Sequence, residues 1–506
     1  TLNALRRTLQ EEARANPNDP GIASDSLKDW RIDALYNELT GHNEVPQNPS
    51  LNRFMSTLKV VTQLAKMGGV VLSSFSDRAF LQSEMAYQGI SHLQTLTKQI
   101  ASFSKSTPEQ KQRLRMIGTA MDGIIGNALA RYSSHSTMSG WAHNLQKWFF
   151  DLNGLNLWTD ASKAAAADTM SAHLGEHADL PHAKLPSELV RVLKLFGIND
   201  LEWELIRSTV YEHGDVGSKF ITPDQVSAVP LERIVPLAEA KKLTPSPDNL
   251  MRLRDDLATR LREYFIDRVN SAIPTPGATE RMYATWNTQA GTPIGEAVRL
   301  IMLFKSFPIT IMNRVVGRAV YGQGAPSVSQ WLLHDRRGLF NIAQLIAMTT
   351  VAGYISGAVR DLLKGREVKP LILQDGQINM AALNDAMLRG GGLGIMGDYL
   401  VSEYDSSFKS FLKHSAGPVV DQLDSLATIK SELLSGKISA ASGHTAKLGI
   451  DNTPFINLFY IRPVLDYLVL WNLQEAMNPG SLRRMEKGVE NKNHQGFWMR
   501  PSEVAQ

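Results

Sequence analysis

The chain has 506 residues, 43% apolar and 20% charged, with a formal net charge of +3 and no cysteine. That length gives room for about two to four domains with large cores. The balance excludes a disordered or globally basic chain, and the missing cysteines exclude disulfides, thiolate catalysis, zinc ribbons and iron–sulfur clusters.

The chain begins at Thr1 with no signal-peptide pattern, and the amphipathic opening TLNALRRTLQEEARA reads as part of a processed or longer polypeptide. The polar stretch GHNEVPQNPS at 41–50 closes an N-terminal helical arm, 1–50. A helical domain follows over 51–273. PTPGATE at 274–280 opens a C-terminal helical domain over 274–477, and 478–506 reads as an extended tail anchored by Phe497 and Trp498. Helical periodicity covers about 52–97, 107–131, 185–213, 293–321, 338–365 and 455–477.

Helix starts recur as a hydroxyl residue followed by proline: Thr107-Pro108, Thr222-Pro223 and Ser246-Pro247. The hydroxyl can accept an orphan backbone N–H, and proline suits the first helical position. Gln110 and Gln225 complete capping boxes in the first two. After Ser246, Leu250, Leu253, Leu257, Leu261 and Phe265 follow at spacings of three and four, the stripe of a long amphipathic helix. Strand signals are scarce. KPLILQDGQINM predicts a small β-hairpin over 369–380, turning at Asp375-Gly376. The expected fold class is all-α: multi-helix blocks with that one hairpin.

Several short patterns suggest chemistry. His173-Leu-Gly-Glu176-His177 spells HxxEH, whose histidines share a helix face and whose glutamate can serve as general base in a zinc peptidase. Gly175 inside it, and Pro181 soon after, favour a polar helix end instead. Arg252, Arg254, Arg260 and Arg262, like Lys111, Arg113 and Arg115, are basic residues interleaved with acids. They read as solvated helix faces or as the lining of a DNA channel that touches phosphates without sequence preference.

Between Arg337 and Arg360 lie 22 residues without a charge, 338–359. As a helix they span about 33 Å, enough for a bilayer core. Gly353-x-x-x-Gly357, with Ala352 beside it, forms a small-residue face suited to close helix approach in a membrane or an oligomer. Asn341, Gln344, Thr349, Thr350 and Ser356 lower its hydropathy, so a buried helix of a soluble bundle is the competing reading. The preceding segment, 295–320, is apolar but carries Arg299, Lys305, Arg314 and Arg318. It reads as an interfacial or groove-lining helix kinked at Pro308. Downstream, RGGGLGIMGDYL holds Gly390, Gly391, Gly392, Gly394 and Gly397. Its GxGxxG follows a helix rather than a strand, which argues against a dinucleotide cradle and for a tight helix junction.

Taken together, LAKMGGVVLSSFSD (64–77), GLNLWTDASKAAAADTM (154–170), GTPIGEAVRLIMLFKSFPITIMNR (291–314), RGGGLGIMGDYL (389–400), AGPVVDQL (416–423) and NPGSLRRMEKGVENKNHQGFWMRPSE (478–503) resemble the C-terminal part of the large internal virion proteins of tailed phages. The resemblance runs from about residue 55 onward. It implies a protein stored in the capsid core and ejected before the genome. Such a protein re-forms as an oligomeric ring that conducts DNA across the host periplasm and inner membrane. The implied partners are further copies of the chain, other ejection proteins, the portal and tail, double-stranded DNA held non-specifically, and the host inner membrane. Longer members carry a lytic transglycosylase domain, which this stretch does not resemble. No enzymatic role, catalytic residue, metal or cofactor is therefore expected. The competing readings are a zinc peptidase built on HxxEH, the non-catalytic remainder of a cell-wall hydrolase, and a capsid-internal scaffold or DNA-packaging core protein. The features of the chain agree with a conduit. Local helical contacts favour fast refolding, a cysteine-free chain forms no cross-links that obstruct threading, and a modest net charge lets DNA pass without tight binding.

Overall fold

The computed structural model describes residues 29–91, 140–213, 218–303, 305–321, 336–373, 375–390 and 455–504, together with isolated positions elsewhere. Among them the chain is mostly helical. It divides into two compact units, one drawn from Thr1–Ser76, Leu129–Leu155 and Pro276–Gln506, the other from Asp77–Ala128 and Asn156–Thr275. The last division falls beside the 273/274 boundary read from the sequence. Residues 51–76, read as part of the first domain, group instead with the C-terminal half.

The second unit is built around the helix Pro247–Ala272, whose start follows from its sequence. The Ser246 hydroxyl accepts the Asn249 N–H at 3.3 Å, with Pro247 at the first helical position. Leu250, Leu253, Leu257, Leu261 and Phe265 are all buried, as their spacing predicts. Leu257, Leu261 and Phe265 pack with Met170 and Leu174 from the helix Leu155–Glu176, Leu81 and Met85 from Asp77–Tyr87, and Trp203 from Asp200–Arg207, while Leu250 and Leu253 pack with Val229, Ile234 and Ala238. A buried polar chain threads this core. Tyr264 donates to Gln88 at 2.6 Å, Gln88 donates to Glu84 at 2.8 Å, and Arg268 pairs with Glu84 at 3.5 Å. Each group thereby recovers part of the hydration that burial removes. The expected capping box at Thr222 forms, with the Thr222 N–H donating to the Gln225 side-chain oxygen Oε1 at 2.9 Å. The box expected at Thr107 lies outside the described residues.

A β-ladder that the sequence reading missed pairs β1 (Tyr211–His213) with β2 (Ser218–Phe220), antiparallel, with Tyr211 opposite Phe220. The expected hairpin at 369–380 is present as a single bridge between Ile372 and Ile378. Leu373 N–H donates to the Gln377 carbonyl at 2.8 Å, and Asn379 N–H to the Leu371 carbonyl at 2.9 Å.

In the first unit the sequence GTPIGE acts as a structural clasp. Thr292 caps the helix Pro293–Ile301, and Glu296 accepts the Gly291 N–H at 2.9 Å while pairing with the buried Lys59 at 3.3 Å. Arg299 donates to the carbonyls of Gly295, Asn43 and Thr288 at 2.9–3.1 Å. Burial pushes Lys59 below the ordinary lysine value, with Glu296 pulling the other way. The network ties the segment at 42–48 to the helix at 293–301.

Two expectations differ from the structure. Pro308 does not kink a long helix. The first helix ends at Ile301, and Pro308 sits in the first turn of the next one, Ser306–Thr310, where a missing N–H is tolerated. That helix continues through a π-helical stretch, Ile311–Val316, and a second π-helical stretch spans Asp466–Leu470. The C-terminal segment is not an extended tail. It forms a helix, Ser481–Asn493, in which Leu482, Glu486 and Val489 are buried at spacings of four and three. Glu475 carboxylate oxygens accept the backbone N–H groups of Gly480 and Leu482 and fix its start. After this helix, backbone pairing to Gly365 and Arg366 anchors Phe497 and Trp498, while the Trp498 side chain is exposed.

Candidate functional site

The uncharged stretch lies in one helix, Arg336–Leu363, of 28 residues. It is long and apolar enough to cross a membrane over Gly338–Leu363, and little of it is buried. Its polarity is inverted relative to a helix of a soluble core. The inward stripe is Leu345, Thr349, Gly353 and Ser356. The outward ridge is Phe340, Val351, Ile355 and Leu362, exposed by 67%, 59%, 48% and 48%. Thr349 satisfies its hydroxyl by donating to the Leu345 carbonyl of its own helix at 2.9 Å, whereas the buried Ser356 hydroxyl has no hydrogen-bond partner among the described residues.

The inward stripe is partnered within the chain. The helix Met380–Gly390 presents Ala382, Ala386 and Gly390, four residues apart and all buried, to the apolar helix. At the crossing a Cβ on Gly353 would overlap the Ala386 carbonyl oxygen and stand 2.5 Å from the Gly390 nitrogen. A Cβ on Gly390 would overlap the Thr349 carbonyl oxygen. Only glycine at both positions lets the backbones meet this closely. Gly357 is different, since a Cβ there would lie 3.5 Å from Arg389 Cδ, an ordinary contact. Ala352, the third residue of the expected small face, is half-buried beside Gly353.

Local chemistry fixes the short helix in place. Asn379 closes the hairpin by donating to the Pro370 carbonyl at 2.9 Å, and its side-chain oxygen caps the helix by accepting the Ala382 N–H at 3.2 Å. Tyr354 on the apolar helix donates to the Lys369 carbonyl at 2.8 Å. Asp385 receives Lys369 and Arg389, each at 2.7 Å. Thus Gly353 and Gly390, singled out for separate reasons in the sequence, form one crossing. The Ala382–Ala386–Gly390 stripe completing it was missed, although its spacing of four was readable. Gly391, Gly392, Gly394 and Gly397 lie outside the described residues.

The other candidate residues are placed as follows. Arg260 donates to the Gly197 carbonyl at 2.6 Å and pairs with Asp256 at 3.1 Å; Arg262 binds Asp224 at 3.2 Å and the Ser227 hydroxyl at 3.1 Å; Arg254 pairs with Asp255 at 3.2 Å. These three are committed to their own unit, and Arg252 is exposed. Lys111, Arg113 and Arg115 lie outside the described residues. His173 and His177 sit at the end of the helix Leu155–Glu176, their rings 4.5 Å apart edge to face. His177 Nδ1 bonds the His173 carbonyl at 2.8 Å. Gly175 lets its helix end lie close against β2, since a Cβ there would overlap the Lys219 carbonyl. No group of three or more His, Cys, Asp or Glu among the described residues is placed to hold a metal ion.

Comparison of the chain with protein families, with curated proteins and with solved structures finds no match.

Proposed function

We propose that this chain is a structural ejection protein of a tailed phage, carried in the virion and released to form an oligomeric conduit for DNA through the host envelope. The observation that carries the membrane part of this reading is the inverted helix at 336–363. Its Thr349 and Gly353 pack on Met380–Gly390, and its apolar ridge faces outward. In water such a ridge is a liability, and in hydrocarbon it is the favoured face. The helical architecture supports rapid refolding after passage, and the ordered resemblance of segments at 64–77, 154–170, 291–314 and 478–503 supports the phage assignment. Copies of the chain supply the ring, other ejection proteins its continuation, and the enclosed DNA is touched without sequence preference.

The test is assembly together with permeability. Purified chain mixed with lipid vesicles or detergent is expected to form ring-shaped particles by electron microscopy and to release an encapsulated dye. A chain that stays monomeric in both media and leaves the vesicles sealed contradicts the proposal.

A further inference from the structure

At the C-terminal end of the apolar helix a cavity of about 330 Å³ opens between that helix and the segment at 457–466. Its wall carries Arg360, Lys364 and Arg462 against one acid, Asp466. Arg462 is neutralised, because its Nε pairs with Asp466 at 2.7 Å and its Nη1 donates to Asn457 at 2.6 Å. Arg360 is held but not neutralised. One Nη donates to the Gly69 carbonyl at 2.7 Å and the Ser73 hydroxyl at 2.9 Å, while its Nε is buried and makes no hydrogen bond. The Lys364 side chain makes no hydrogen bond or ion pair among the described residues; its backbone N–H donates to the Arg360 and Asp361 carbonyls.

Arg360 and Lys364 therefore add two positive charges to a cavity whose one lining acid, Asp466, is paired with Arg462, while Asp385 acts on Arg360 from outside the lining. Cations in the last helical turn are favoured by the helix dipole, which explains either one singly. It does not explain two of them on the wall of one cavity. Lys364 keeps more than a third of its surface exposed. Desolvation of its ammonium group, with repulsion from Arg366, Arg360 and Arg389, holds it below the ordinary lysine value despite Asp466. The local field is thus one that an anion relieves.

We infer that this cavity is a binding site for a phosphate monoester or inorganic phosphate, held by Arg360 and Lys364. The class follows from charge and size. A phosphate monoester carries about −1.5 to −2 charges at neutral pH, matching the two open cations, whereas a carboxylate leaves one unmatched. The volume is at the small end for ligand sites, room for a phosphate and the few atoms that carry it. Such a group is supplied either by free phosphate or by a lipid headgroup, and Leu362 of the outward ridge lies between the two cations in sequence. The site is carried by the cavity and its charges and does not depend on the conduit reading.

The probe is inorganic phosphate titrated into the full chain by calorimetry at low ionic strength, with Lys364→Gln and Lys364→Glu as variants. Both variants remove a cation that Arg366, Arg360 and Arg389 repel, so both are expected to melt at or above the wild-type temperature. A control, Lys194→Gln, alters a lysine in the other unit. The expected result is one saturable site per chain, weakened about tenfold or more by Lys364→Gln and abolished by Lys364→Glu, with the control unchanged. Absence of saturable binding, or equal affinity in wild type and both Lys364 variants, overturns the site. A second arm measures binding to phosphatidylcholine vesicles with and without phosphatidic acid. A phosphatidic-acid preference lost in Lys364→Glu assigns the phosphate to a lipid headgroup. Phosphate binding without that preference assigns it to the free anion.

Discussion

Two long helices of nearly equal length solve opposite problems. Pro247–Ala272 turns leucines and Phe265 inward and leaves Arg252, Asp255, Asp256 and Glu263 to solvent. Arg336–Leu363 turns Thr349, Gly353 and Ser356 inward and leaves Phe340, Val351, Ile355 and Leu362 outside. The first gains its stability from apolar area removed from water. The second is held by close backbone approach at Gly353 and Gly390, by the Asn379 cap and by Asp385 between two cations. Composition alone does not separate a core helix from a membrane-facing one. The face on which the small residues lie does.

The largest expected effect breaks the conventional helix. Leu261→Ala removes a fully buried side chain and is expected to cost about 2–5 kcal/mol in denaturant unfolding, with Phe265→Ala at least as severe. Next is Gly353→Ala, whose added methyl must force the two helices apart. It is expected to cost about 1–3 kcal/mol and to loosen hydrogen-exchange protection across 345–356 and 380–390. Gly357→Ala sharpens the contrast. Its methyl meets the flexible Arg389 side chain and the Asp385 carboxylate at ordinary contact distances, so it is expected to be neutral or to stabilise by up to about 1 kcal/mol in the same assay. Equal losses at Gly353 and Gly357 would show that the crossing is not centred where the backbones meet. The smallest effect on stability in water is expected from Val351→Ser combined with Ile355→Ser, within about 0.5 kcal/mol, since both side chains are outside the packed interface.

Local signals carried much of this architecture. Ser246-Pro247 and the leucine stripe after it, the Thr222–Gln225 box, the uncharged run at 338–359 and the Asp375-Gly376 turn each contain their own physical cause within a few residues. What escaped depends on partners distant in sequence or on weak periodicity. Nothing near Gly353 says that Gly390 will meet it. Arg260 and Arg262 read as free basic residues because Gly197 and Asp224 are far upstream. The helix at 481–493 was overlooked because it buries few apolar side chains, chiefly Leu482 and Val489, in a strongly polar segment. The strands at 211–213 and 218–220 are too short for alternation to register, although Gly214 and Gly217 between them are turn formers.

The most direct measurement uses the absence of cysteine, which makes single labelling sites clean. Ile355→Cys on the outward ridge and Leu201→Cys in the other unit replace exposed apolar side chains of similar exposure, 48% and 42%. Each carries an environment-sensitive fluorophore, and the protein is mixed with vesicles of brominated lipid. A ridge that faces hydrocarbon predicts a blue shift and strong quenching at position 355, with position 201 unchanged. Equal response at the two positions, or a label at 355 that stays in water, would contradict it.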